Sequence, residues 1–221
     1  MLGVKNLLRA GLYLSGLAVL ALGVALSVSA DLGVSPVNSI PYVLYIASDI
    51  PLGVCVAGTF AVLVLIQLGL ERRGISWRDG FQIFCAVVFG CLVDLMKSLT
   101  VGLAPGSYLQ RLLLLAVSIV LIAAGISLYV DADFVGMPME ELTGTLTRKL
   151  QGRMTFQQVK VLLDCAVVAA AAAISLVSLG GLFGVREGTV LCALLVGRAM
   201  CPIQRVIRPL IRDAVFDERK E

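Results

Sequence analysis

The 221-residue sequence contains no histidine. That removes imidazole metal ligands and imidazole proton relays. Charge is scarce too: Lys, Arg, Asp and Glu make up 15% of the chain, against roughly 25% in a soluble domain. The six cysteines (Cys55, Cys85, Cys91, Cys165, Cys192 and Cys201) form no CxxC or other metal-ligand spacing, so they read as small buried apolar side chains. GxSxG, HExxH, the phosphate-binding glycine loop and the dinucleotide fingerprint are all missing. No nucleophile stands beside a base, so the expectation is a protein that is not an enzyme and carries no cofactor and no metal.

What is present is apolar. Hydrophobic residues make up 59% of the chain, and the mean hydropathy is +0.97. Such a chain has too little polar surface for water, so its solvent is lipid and its first partner is the bilayer. Six apolar stretches, near 8–30, 51–70, 80–98, 109–130, 158–180 and 188–205, each approach the ~20 residues a helix needs to span. Lipid cannot satisfy open backbone groups, which excludes isolated strands. The first stretch resembles a secretory signal, but its apolar run exceeds the usual roughly 7–15 residues, and it is read as an uncleaved helix.

One stretch occurs twice. Gly23 to Asn38 reads GVALSVSADLGVSPVN, and Gly125 to Glu140 reads GISLYVDADFVGMPME. At an offset of 102 the windows agree at Gly23/Gly125, Leu26/Leu128, Val28/Val130, Ala30/Ala132, Asp31/Asp133 and Pro36/Pro138. Each copy has an apolar run, an Asp where it ends, a short loop and a Pro opening the next segment. Ser35-Pro36 has the form of a helix start, with Ser as N-cap and Pro at the first helical position. A short re-entrant or interfacial helix over 36–47 is expected. After Pro138, Glu140 and Glu141 suit the positive end of a helix, and Arg148 and Lys149 its negative end.

With the N-terminus inside, only Lys97, Arg111 and Arg186 fall outside. Arg198 lies within a span, and the other fourteen of the eighteen Lys and Arg fall on the cytoplasmic side. The basic residues are thus a topology signal, not a nucleic-acid surface. The organisation expected is all-α and polytopic, in a bacterial inner membrane with both termini cytoplasmic. It has a first three-helix repeat (1–104), a second (105–205) and a charged tail (206–221). Three spans per copy turn the second copy upside down, the plan of many secondary transporters.

Asp31 and Asp133 could place two carboxylates near a central cavity for a cation, proton or amine, or each could simply end a helix at the membrane boundary. Pro36 and Pro138 open helices whose free N–H groups could receive an anionic group. Arg198, about ten residues into the last span, needs a partner, and Asp164 and Asp133 are the candidates. Asp164 also lies one turn from Lys160, where a plain surface pair is the alternative. Gly23, Gly125, Gly90 and Gly197 suit close helix crossings.

The segments GVALSVSADLGVSPVNSIPYVL, FGCLVDLM and GTVLCALLVGR resemble the YczE/YitT-like bacterial membrane proteins. The resemblance implies a small six-span inner-membrane protein and brings no catalytic residue. Two function classes follow: secondary transport of a small solute, or an accessory or substrate-capturing subunit working with a second copy or a partner membrane protein.

Overall fold

The computed structural model describes residues 2–71, 76–103, 105–132, 135–150 and 153–211. Among them the chain forms eight helices and no strand. These are α1 (Leu2–Ala30), α2 (Pro36–Ala47), α3 (Leu52–Glu71), α4 (Trp77–Thr100), α5 (Tyr108–Asp131), α6 (Pro138–Lys149), α7 (Phe156–Leu179) and α8 (Glu187–Ile211). Six are long and apolar enough to cross a membrane, so the protein is an all-helical, multi-pass membrane protein. The two 12-residue helices, α2 and α6, begin at Pro36 and Pro138 and are displaced by the same 102 positions as the sequence repeat.

Proline opens both short helices because its fixed φ suits the first turn and its missing N–H is not needed there. The expected Ser35 cap is absent. Its hydroxyl instead accepts a 2.9 Å hydrogen bond from the Asn38 side chain. Capping boxes at Ser76, Ser107 and Thr155 start α4, α5 and α7. The region from 206 on is not wholly a tail, since α8 runs through Ile211.

The central interface joins α1 and α5, which run antiparallel. A Cβ on Gly23 would lie 2.8 Å from Ile122, and one on Gly125 would lie 2.5 Å from the Leu20 backbone. Gly23 and Gly125 are repeat counterparts, and so are Leu20 and Ile122. The contact is therefore reciprocal at this offset: a glycine of each helix receives the other helix at positions 102 apart. In lipid, where burial of apolar surface does not separate helix from tail, such backbone approach is what holds helices together.

Other contacts pair off in the same way. α1 packs on α4 as α5 packs on α8, α2 on α7 as α3 on α6, and α2 on α3 as α6 on α7. The exceptions are α2 with α8, which α6 and α4 do not match, and α3 with α4. There the Gly53 and Gly90 backbones touch, and the Asp94 carboxylate accepts a 2.7 Å hydrogen bond from the Gly53 N–H. α7 and α8 make no comparable contact.

Three expectations need correcting. Gly197 lies in open space, so it makes no crossing. Cys91, Cys165 and Cys201 are exposed, unlike the buried Cys55, Cys85 and Cys192. The alanine run at 169–173 in α7, where close helix packing is the expectation for small residues, has only Ala171 fully buried, because α8 does not cover the others.

Candidate functional site

Asp31 is the residue after the last turn of α1, with φ of 51°. This left-handed conformation ends helices, and Asp tolerates it better than most side chains. The turn aims the carboxylate away from its own helix, toward Arg111 and Arg186. Arg111, in the first turn of α5, donates to Oδ2 at 2.8 Å. Arg186, just before α8, lies 3.2 Å from the same oxygen and donates to the Asp31 carbonyl at 2.6 Å.

The loop that follows is stitched to the same place. The Gly188 N–H donates to the Leu32 carbonyl at 2.7 Å. Gly33, at φ +102°, lies so close to α8 that a Cβ would come within 2.6 Å of the Thr189 hydroxyl. Only glycine meets both demands, the backbone angle and the space.

Leu32, Tyr108, Arg111, Arg186 and Glu187 line an open pocket of about 320 Å³ beside this clasp. Lys97 completes the set of cations at this end, its ammonium 3.5 Å from the Tyr45 ring centre. Tyr45 stacks on Tyr42. Burial, reinforced by the negative charge of Asp31, pushes the Tyr42 hydroxyl up to about 12.

At the opposite end, Asp164 pairs with Lys160 at 2.6 Å, both half-buried. The Lys160 partner, not Arg198, is therefore the one Asp164 takes. Arg198 is exposed on α8 and has no ion-pair or hydrogen-bond partner among the described residues. The structure separates it from Asp31 and Asp164 instead of gathering the three. Its other candidate partner, Asp133, lies outside the described residues. Pro36 and Pro138 are buried at their helix starts.

Near Lys160 lies Glu140. It is half-buried, and the Tyr129 hydroxyl favours its charged form. Burial pushes its carboxyl above the ordinary value of 4.5, and the Lys160 charge draws it partly back. Among the described residues no three carboxylates or thiols converge to hold a metal.

With this geometry in view, a family model matches residues 7–205. The chain belongs to DUF6198, a family of unknown function. The match takes in α2 to α7 of the DUF6198 chain whole, and α1 and α8 except for the start of α1 and the end of α8. No curated protein and no solved structure gives a match.

The sequence offered Lys160 as a partner for Asp164, and the structure has that pair, but it offered none for Asp31. Arg111 and Arg186 were legible only as topology markers, and Glu140 only as a helix-dipole charge. One signal was available: Arg9 and Arg111 stand 102 apart, the offset already set by Asp31 and Asp133.

Proposed function

We propose that this DUF6198 protein is a secondary carrier of a small solute, built from two inverted repeats that rock or gate against one another in a bacterial inner membrane. The observation that carries this reading is the Asp31 clasp, which ties the end of α1 to Arg111 and Arg186 of the other copy. An ion pair across the repeat interface, exposed at one end and beside a pocket, is a contact that can break and re-form as the repeats move. The reciprocal Gly23–Ile122 and Gly125–Leu20 packing supports a pseudo-two-fold axis in the membrane plane, as inverted repeats require. The lysine and arginine distribution supports cytoplasmic termini, which puts the clasp on the outer face. The sequence segments also favour kinship with YczE/YitT-like proteins.

The test is a thermal-shift panel of amines, amino acids, organic acids and inorganic ions on the purified protein, followed by uptake of each stabilising compound into proteoliposomes. Concentration-dependent stabilisation and saturable uptake support the carrier. A folded protein that responds to nothing contradicts it.

A second reading draws on Arg198 and the α7–α8 face. An unpartnered charge within an apolar helix is costly in lipid, and α7 and α8 leave most of their surfaces uncovered. Both features favour a second copy or a companion membrane protein seated there. Co-purification of a stoichiometric companion, lost in Arg198→Ala, supports this reading.

A further inference from the structure

Glu140 is the third residue of α6, and its side chain meets groups from three other helices. The Tyr129 hydroxyl of α5 acts on the carboxylate and favours its charged form. From α7, Lys160 and Asp164 act on it as an ion pair. Tyr13 of α1 stands edge-on to Tyr129, with ring centres 6.0 Å apart, and feels the Glu140 charge. The charge that α3 brings to α6 is Glu71, which meets Thr145 and Arg148 farther along the helix. Glu141, Arg148 and Lys149 are the remaining charges of α6 itself.

Despite this company, Oε2 of Glu140 is buried and accepts no hydrogen bond. The other copy supplies an independent observation. Its counterpart, 102 residues earlier, is Asn38, the third residue of α2. Oδ1 of Asn38 is likewise buried without a donor. At one structural point, both copies present an acceptor oxygen to the interior with nothing donating to it. A buried acceptor left unpaired is unfavourable and calls for a ligand that donates. In one copy that acceptor is a carboxylate, which can take a proton; in the other it is an amide, which cannot.

We propose that Glu140 is the proton-binding carboxylate that couples solute movement to proton movement, with Asn38 its non-titrating counterpart. The step is a plain proton transfer. The carboxylate takes one proton from water at Oε2, becomes a neutral carboxyl, and returns the proton when the end of the bundle opens. In the neutral state the carboxyl turns from pure acceptor to donor, so the hydrogen bonds it offers change with its charge. Lys160 favours the carboxylate, whereas Asp164 disfavours it, so the α7 pair sets where the exchange occurs. This inference rests on the carrier reading.

The experiment titrates the purified full-length protein in nanodiscs while following the infrared C=O stretch of protonated carboxyl groups. The wild type should show a band persisting above the ordinary glutamate range and lost in Glu140→Gln. Tyr129→Phe and Lys160→Met should raise its midpoint, because each removes a group that favours the carboxylate. Asp164→Asn should lower it. Glu140→Asp, which keeps a titrating group, should move the band without abolishing it and covers a misfolded glutamine variant. An unchanged band in Glu140→Gln, or a midpoint indifferent to Lys160→Met, overturns the proposal while leaving the carrier reading intact. A titrating Glu140 in a protein that carries no solute refutes the carrier reading and with it the coupling. If uptake is found and keeps its pH dependence in Glu140→Gln, coupling through this residue is wrong.

Discussion

Asp31 and Arg111 lie 80 positions apart and 2.8 Å from each other, the carboxylate ending α1 and the guanidinium starting α5. Each has a counterpart at an offset of 102, Asp133 and Arg9, so the sequence holds the ingredients of this pair twice. The clasp therefore ties the end of α1 to the start of α5.

Half-exposed ion pairs contribute little, about 0.2–1 kcal/mol, and salt weakens them. A double-mutant cycle of Asp31→Asn and Arg111→Gln, read by thermal unfolding, should give a coupling within that range that shrinks as salt rises. A larger coupling, independent of salt, would mean the pair is shielded from water and the end permanently shut.

Gly23→Leu and Gly125→Leu should destabilise comparably, by about 1–3 kcal/mol or more, because each drives a side chain into the facing backbone. Gly197→Leu, with open space around it, should be nearly neutral. Unfolding midpoints in detergent check all three, at about 2–4 °C per kcal/mol.

Asp94 caps the start of α3 through the Gly53 N–H. Asp94→Ala should cost about 0.5–2 kcal/mol, the ordinary worth of such a cap. Asp94→Asn keeps an acceptor and should cost less. Equal losses in the two variants would assign the effect to charge alone.

The Glu140 carboxyl is raised in the folded state, so the fold binds its proton more tightly than the unfolded chain does. Its contribution is fully present below the unfolded value and is lost as pH rises through the folded one. Wild-type stability should thus fall relative to Glu140→Gln as pH climbs from 4.5. Parallel pH–stability curves for the two proteins would contradict this.

The spans and short helices were legible because length, apolarity and proline position act locally. Pro36 and Pro138 marked their helix starts to the residue. The start of α8 was legible from its apolar run, but not from the repeat offset. Glu187 lies eight positions later than the repeat offset places it, after a loop that includes Gly180 and Gly184 in left-handed conformations. What the sequence could not carry is which face of a helix turns inward. Glu140 and Glu141 are neighbours in a first turn, and only the tertiary packing decides that Oε2 of Glu140 is buried. Arg198 failed for the same reason: depth along α8 was readable, but not that α7 stands away from it and leaves the guanidinium exposed. Asp164 had a partner one turn away, and that local pairing prevailed over the long-range one.

The most direct test of the clasp is access to Leu32, which is only 3% exposed beneath it. Leu32→Cys, in a background with the six native cysteines replaced, is treated on intact cells with a membrane-impermeant maleimide. The account predicts slow labelling from outside that quickens severalfold when Asp31→Asn is added, about fivefold for each kcal/mol of clasp removed. A rate unchanged by Asp31→Asn, or labelling only from the cytoplasmic side, would contradict it.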